Sequence, residues 1–192
     1  MVAPKNQSRK ATQLVDLSVA RHAQVGPEQV QPDAHFDSQL SQLVTATGID
    51  NQNLLQRMVA HGLNAKNVIA LKYAPIAEVA WASGRVTSSE YVLAMKPMFS
   101  AELFDCPEAV DLFRSWLTSR PPESLWTLSE DYVRARVAIH RADVEQAFGR
   151  QLYELAEKVA LASGGIVDQG DICAAERLAL NRASDMYAGR AA

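Results

Sequence analysis

The chain has 192 residues, of which 48% are hydrophobic and 21% charged, so it can form a sizeable core and is too apolar for a disordered protein. Its 19 basic residues against 22 acidic ones give a formal net charge of −3, which argues against binding to nucleic acid or to anionic membranes. The sequence lacks a run of about 18 uncharged apolar residues, and no apolar stretch follows the basic N-terminus. Its two cysteines, in no paired spacing, predict free thiols. We therefore expect a cytoplasmic protein without membrane insertion.

Apolar residues recur with the 3.6-residue period of an α-helix along almost the whole chain, and the alternation typical of strands is nearly absent. This pattern predicts an all-α fold, a compact bundle of eight or nine helices. In chain order, the predicted helices cover residues 9–25, 34–47, 51–62, 64–83 and 87–97, a helix that carries Val110 to Leu117, a long helix from Leu125 to Ala142, and the segments 146–163 and 172–188.

Short local signals set several of these boundaries. Gly48 is expected to close the helix over 34–47, and Asp50 or Asn51 to cap the next one. Pro75 falls inside the segment 64–83, so we expect a kink there or a helix that restarts at Pro75. The sequence Thr87-Ser88-Ser89-Glu90 has the form of a capping box at the start of a helix.

An internal repeat is the most specific feature of the sequence. Val79-Ala80-Trp81-Ala82-Ser83-Gly84-Arg85-Val86 recurs 80 residues later as Val159-Ala160-Leu161-Ala162-Ser163-Gly164-Gly165-Ile166, with five of eight positions identical. A glutamate follows each copy, Glu90 after the first and Glu176 after the second. The small residues in both copies would let two helices approach closely. We therefore predict a pseudo-twofold core of two repeated helix-turn-helix units.

The first copy in its context, Leu71 to Val86 followed by Glu90, resembles the TerB-like (tellurite-resistance) family. The pattern there is V-A-W-A-D-G-x-V-x-x-x-E, and the segments 162–165 and 172–176 resemble a later part of that family. The resemblance covers about residues 64–186. It implies an all-helical fold with acidic residues near the two turns, proposed to bind a divalent metal within a stress-response system linked to membranes and other proteins.

Two observations suggest which residues would hold a metal. Glu90 and Glu176 match the glutamates that follow the two turns in the resemblance, and Glu78 and Glu157 precede the repeated Val-Ala, where a glutamate on a packed helix face needs a partner. The candidate ligands are Glu78, Glu90, Glu157 and Glu176. The family's aspartate before each turn glycine is replaced by Ser83 and Ser163, and hard divalent ions depend on several carboxylate oxygens. We therefore expect at most weak binding of a divalent metal, with a dissociation constant of about 1 mM or more.

Three hypotheses about function remain open. The first is a non-enzymatic module of a bacterial stress-response type, without cofactor, that binds a protein partner. The second is a divalent-metal-binding stress-response protein, and the third is an enzyme with an unrecognised site, since HExxH, GxSxG and a complete P-loop are lacking. The predicted organisation is a disordered tail over 1–8, a helical extension over 9–63 and a TerB-like core over 64–188.

Overall fold

The all-α prediction is confirmed in the computed structural model, which describes residues 34–162 and 172–187. These residues contain nine α-helices, two 3₁₀ helices and no strand. The predicted helix over 9–25 and the residues Ser163 and Gly164 lie outside them. The α-helices are α1 (Ala34–Thr47), α2 (Gln52–Ala60), α3 (Ala74–Trp81), α4 (Ser88–Ala94), α5 (Ala101–Phe104), α6 (Pro107–Thr118), α7 (Glu123–Ile139), α8 (Ala142–Leu161) and α9 (Ala174–Tyr187), and the 3₁₀ helices are Val68–Tyr73 and Lys96–Phe99.

Several helix boundaries lie where the local signals predicted them. Helix α1 ends at Thr47, and Gly48 follows with a φ of 72°, a left-handed conformation that glycine adopts without strain. The Asn51 side chain accepts a hydrogen bond from the Leu54 N–H at 3.1 Å and so caps α2. At α4, Thr87 and Glu90 form both hydrogen bonds of the predicted capping box.

Other boundaries differ from the prediction. The segment 64–83 is not one α-helix but a turn and a 3₁₀ helix followed by α3. Of the two outcomes expected at Pro75, the structure shows the restart, with Pro75 in the first turn of α3, where its missing N–H group costs no hydrogen bond. Helix α7 ends at Ile139, and Ala142 begins α8, whose predicted start was near residue 146. The acidic residues Asp143 and Glu145 in the first turn of α8 favour this earlier start, since they complement the helix dipole. Helix α5 was not predicted because four residues carry no periodic pattern.

Helix α3 lies at the centre of the described residues. Every residue from Ala74 to Ala80 is buried, and the helix contacts α4, α6, α7, α8 and α9. A helix that is apolar on all sides is stable only inside a core. The helices that carry the two repeat copies, α3 and α8, pack against each other as predicted. The twofold relation between the copies remains a prediction.

The first two helices contribute to the same core. Leu43 of α1 and Leu55 and Met58 of α2 are each at most 1% exposed and belong to one cluster of buried apolar residues with α3 and α7. Helix α2 packs against α7, and Arg57 and Asp131 join these two helices through an ion pair of 2.6 Å. Residues 43–58, within the predicted N-terminal extension, therefore take part in the main core.

Candidate functional site

Two of the four candidate metal ligands form part of helix caps. The Glu90 carboxylate accepts a hydrogen bond from the Thr87 N–H at 2.6 Å, and Thr87 Oγ1 accepts one from the Glu90 N–H at 3.3 Å. Glu176 has the corresponding position in α9, where its carboxylate accepts from the Cys173 N–H at 2.8 Å and Cys173 Sγ accepts from the Glu176 N–H at 3.5 Å. Each glutamate therefore satisfies the free N–H groups at the start of a helix.

The other two candidate ligands lie in different surroundings. Glu78 of α3 is buried, and its carboxylate forms an ion pair with Arg182 of α9. Glu157 is exposed on α8. Within residues 34–162 and 172–187, no group of three or more His, Cys, Asp or Glu side chains is placed to hold a metal ion. The structure therefore does not bring three of the four candidate ligands to one point.

Glu78 is a carboxylate in a buried position, and its surroundings shift its pKa. Burial raises the pKa of Glu78 to about 7, while the nearby Arg182 guanidinium lowers it and the charges of Glu123 and Glu130 raise it. A carboxyl group that loses its water becomes harder to ionise. Glu78 is therefore a group whose charge changes near neutral pH.

An ion pair between a buried lysine and a partly exposed glutamate, which the sequence did not indicate, joins the first 3₁₀ helix to α5. Lys72 is only 5% exposed, and its Nζ donates to Glu102 Oε1 at 2.8 Å while Tyr73 Oη donates to Glu102 Oε2 at 2.9 Å. The same Nζ lies 4.0 Å from the centre of the Phe148 ring. Burial alone would raise the pKa of Glu102, but the hydrogen bonds and charge of Lys72, together with the Tyr73 hydrogen bond, lower it overall. Glu102 thereby holds α5 against the core as an ionised group.

Aromatic rings surround this ion pair. Tyr73 and Phe148 meet edge to face with ring centres 5.4 Å apart, and Phe148 lies 5.7 Å from Tyr187. Tyr187 Oη donates to the Lys72 carbonyl at 3.1 Å. A second ion pair, Arg136 to Glu145 at 2.7 Å, joins α7 to α8 and is also largely buried. These polar groups hold the first 3₁₀ helix, α5, α7, α8 and α9 in fixed positions, since a buried charge without its partner costs several kcal/mol.

The most exposed large apolar side chains among the described residues lie on the segment that the Lys72–Glu102 ion pair attaches to the core. We call residues 96–105 the aromatic segment. Phe99 and Phe104 are 83% and 78% exposed, whereas the preceding residue in each case, Met98 or Leu103, is buried. The buried residues and Glu102 attach the segment to the core, and the two phenylalanines extend into solvent. Phenylalanine is among the residue types that are enriched at protein–protein contact sites relative to the rest of a protein surface.

A surface depression lies between α8 and α9. It has a volume of about 360 Å³, the low end of the range for small-molecule sites. Its lining residues are Gln146, Gly149, Arg150, Tyr153, Glu154, Ser184 and Tyr187. Among them Tyr187 has a pKa raised by burial, but its hydroxyl group is already bound to the Lys72 carbonyl. The aromatic segment is therefore the better candidate for a functional site.

The sequence analysis predicted neither the Lys72–Glu102 ion pair nor the exposed phenylalanines of the aromatic segment. Lys72 and Glu102 are 30 residues apart, and a pair at such a distance leaves no periodic signal. Phe99 and Phe104 were not singled out, because apolar periodicity does not distinguish an exposed phenylalanine from a buried one. The one available signal was Pro97, at the end of the predicted helix over 87–97, because a proline there interrupts the helix and the 3₁₀ helix Lys96–Phe99 forms instead.

Comparisons with known proteins give no further assignment. None of the described helices is both long and apolar enough to cross a membrane. No family model matches the chain, and no curated protein or solved structure matches it. The resemblance to TerB-like proteins therefore stays a prediction from the two sequence segments that carry it.

Proposed function

We propose that this chain is a non-enzymatic helical protein-interaction module that binds a protein partner through the aromatic segment. One observation carries the proposal: Phe99 and Phe104 are about four-fifths exposed on a segment whose neighbouring side chains, Met98 and Leu103, are buried. Such an arrangement leaves two large apolar side chains in water, which is unfavourable unless another surface covers them.

The attachment of the segment supports the same function. Glu102 is held by Lys72 and Tyr73, so the segment is ordered before a partner arrives. An ordered contact site loses less conformational entropy on binding than a flexible one. The resemblance to TerB-like proteins, which implies a stress-response system with protein partners, is consistent with this function but is not needed for it.

The test compares three proteins: the unmodified chain, the double variant Phe99→Ser/Phe104→Ser, and the control Leu178→Ser. Leu178 is also well exposed, at 60%, but lies on α9. Each protein is used to capture partners from a lysate of the source organism, and every captured protein is then purified and titrated by calorimetry. Circular dichroism and thermal melting check that the variants fold as the unmodified chain does, as expected for exposed positions.

We expect a purified partner that binds the unmodified chain and Leu178→Ser equally. The double variant should bind it about a hundredfold more weakly, since each buried phenylalanine contributes at least about 1.5 kcal/mol. The proposal is overturned if the purified partner binds the double variant as tightly as the unmodified chain, or if no protein that binds directly is recovered.

A further inference from the structure

We infer that the depression between α8 and α9 binds a small zwitterion, namely a free α-amino acid with an apolar side chain. Arg150 would hold its carboxylate and Glu154 its ammonium group, and both residues line the depression. The inference goes beyond the proposed function, because the described lining residues all belong to α8 and α9 and none to the aromatic segment. It is carried by two opposite charges without partners at one concave surface.

The lining brings one face of each helix together. On α8 the lining residues follow the i, i+3, i+4, i+7, i+8 spacing of a single helix face, from Gln146 to Glu154. On α9 Ser184 and Tyr187 lie three residues apart and therefore also share a face. Tyr187 is only 3% exposed, and its hydroxyl group donates to the Lys72 carbonyl at 3.1 Å. Its ring therefore has a fixed position before any ligand binds.

The polar side chains of the lining are unpaired within the part of the chain that the structure describes. There, no hydrogen bond or ion pair involves the side chains of Gln146, Arg150, Tyr153, Glu154 or Ser184. By contrast, Arg134, Arg136 and Arg141 each pair with a carboxylate. All five unpaired side chains of the lining are at least partly exposed, so they are available to a ligand.

The charges of the lining select the kind of ligand. Arg150 and Glu154 lie one helical turn apart on α8, yet these two described residues form no ion pair with each other. A ligand with a single charge would be attracted by one of them and repelled by the other. A zwitterion satisfies both, since a guanidinium binds a carboxylate through two parallel N–H groups and a carboxylate accepts from an ammonium group. In an α-amino acid both ionic groups are attached to one carbon atom, which suits two charges separated by a single turn.

The rest of the lining fits the remainder of such a molecule. The hydroxyl groups of Ser184 and Tyr153 can donate or accept further hydrogen bonds, and the rings of Tyr153 and Tyr187 offer apolar contact to its side chain. The volume of about 360 Å³ is at the low end of the range for small-molecule sites and favours a small ligand over a large cofactor.

The experiment is a titration of the isotope-labelled full chain with L-phenylalanine at pH 7, followed by the amide signals in two-dimensional NMR. Two analogues test the charges separately: phenethylamine lacks the carboxylate, and hydrocinnamate lacks the ammonium group. Because Arg150 and Glu154 are exposed, we expect a modest affinity for L-phenylalanine, with a dissociation constant of about 1 mM. Signals of α8 and α9 should shift until saturation, and each analogue should bind about fivefold more weakly or worse.

Four variants assign each charge of the ligand to its partner. Arg150→Gln should bind L-phenylalanine and phenethylamine equally, because the carboxylate has then lost its partner. Glu154→Gln should likewise not distinguish L-phenylalanine from hydrocinnamate. The matched controls are Lys158→Gln and Glu157→Gln, which remove the same charges from exposed positions of α8 outside the described lining. Both controls should keep the affinity of the unmodified chain to within about twofold.

Three results would overturn the inference. The first is the lack of a saturable shift in the unmodified chain up to about 20 mM L-phenylalanine. The second is an analogue that binds as tightly as L-phenylalanine; if that analogue is hydrocinnamate, the depression is an anion site instead. The third is binding by Arg150→Gln and Glu154→Gln that equals binding by their controls. Circular dichroism of each variant checks that the fold is unchanged, as expected for exposed positions.

Discussion

At Gly149, α8 and α9 approach so closely that a side chain has no room. An added Cβ would lie 2.2 Å from Tyr187 Cβ and 2.4 Å from Tyr187 Cγ. Rotation of the tyrosine cannot remove this clash, because its Cβ is fixed by the backbone. The absence of a side chain at position 149 is therefore a condition for the contact between these helices.

We predict that Gly149→Ala destabilises the protein by about 1–3 kcal/mol through overpacking. The sign of the change in stability tests the prediction, because a glycine-to-alanine change at an open position inside a helix has the opposite effect and stabilises by about 1 kcal/mol. Urea denaturation followed by circular dichroism gives the free energy of unfolding. An increase in stability would show that α9 can move away from α8 at no cost.

The cap of α9 uses a sulfur atom as the hydrogen-bond acceptor, whereas the cap of α4 uses the hydroxyl oxygen of Thr87. Cys173 Sγ accepts a hydrogen bond from the Glu176 N–H at 3.5 Å, where a hydroxyl group would accept a stronger one. We predict that Cys173→Ser stabilises the protein by about 0.5–1 kcal/mol, because serine is among the best residues at this position.

The matched control for this prediction is Cys173→Ala, which removes the acceptor and should not stabilise the protein. Both variants are compared with the unmodified chain by thermal melting under reducing conditions. Equal melting temperatures for the serine and alanine variants would contradict the role of the position 173 side chain as a cap.

At the scale of the elements, the attachment of α5 depends on one carboxylate. Glu102 binds both Lys72 and Tyr73, and its removal would leave the Lys72 charge buried without a partner. We predict that Glu102→Ala destabilises the protein by about 1–3 kcal/mol, less than for a fully buried pair because the Glu102 side chain is 41% exposed.

Glu108→Ala is the matched control. It removes a carboxylate that pairs with Lys66 at 3.4 Å on the surface, and its effect on stability should be much smaller than that of Glu102→Ala, because water and salt screen an exposed ion pair. The contribution of Glu102 should be present above pH about 4.5, the ordinary pKa of the unfolded chain, and lost as the pH falls, because the pKa of Glu102 is lowered in the folded protein. Chemical denaturation at pH 7 and pH 3.5 measures both effects, and equal losses for the two variants at pH 7 would contradict the prediction.

Most helices could be predicted from local signals, and the exceptions have physical reasons. Residues 34–47 and the capping box at Thr87 are set by neighbouring residues, so the sequence alone was sufficient there. The 3₁₀ helix Val68–Tyr73 forms where Asn64, Asn67 and Pro75 interrupt a pattern that otherwise favours an α-helix. The site depends on contacts between distant residues, and periodicity carries no information about those.

At the scale of the whole molecule, Glu78 makes stability depend on pH. Burial raises the pKa of Glu78 to about 7, above its ordinary value of 4.5, so the folded protein binds this proton more tightly than the unfolded chain does. The contribution is therefore fully present below pH about 4.5 and is lost as the pH rises through about 7, by up to about 3 kcal/mol.

The variant Glu78→Gln has no titrating group at this position, and we expect it to remove that part of the pH dependence. The free energy of unfolding is measured at intervals from pH 5 to pH 8 for both proteins. Their difference should change across this range, and parallel curves would show that the Glu78 carboxyl titrates in the folded protein as it does in the unfolded chain.

Whether the chain binds a divalent metal depends on candidate ligands that lie in different parts of the molecule. Glu90 and Glu176 already accept hydrogen bonds in helix caps, Glu78 pairs with Arg182, and Glu157 is exposed elsewhere, so we predict no binding of calcium, magnesium or zinc tighter than about 1 mM. At about 1 mM ion such a site adds only about 0.4 kcal/mol to the stability, whereas a micromolar site adds about 4 kcal/mol. A clear rise in melting temperature at micromolar ion would favour the divalent-metal alternative.

The contact between Gly149 and Tyr187 also limits how this part of the protein can change shape. A shift of α9 along α8 by about one helical turn would bring Gln146 or Tyr153, which share a face of α8 with Gly149, to the place that only a glycine fits. Sliding of the two helices is thus excluded, because every other register meets a side chain. Any rearrangement there must lift α9 away as a rigid unit, which breaks the Tyr187 hydrogen bond to Lys72 in the same step.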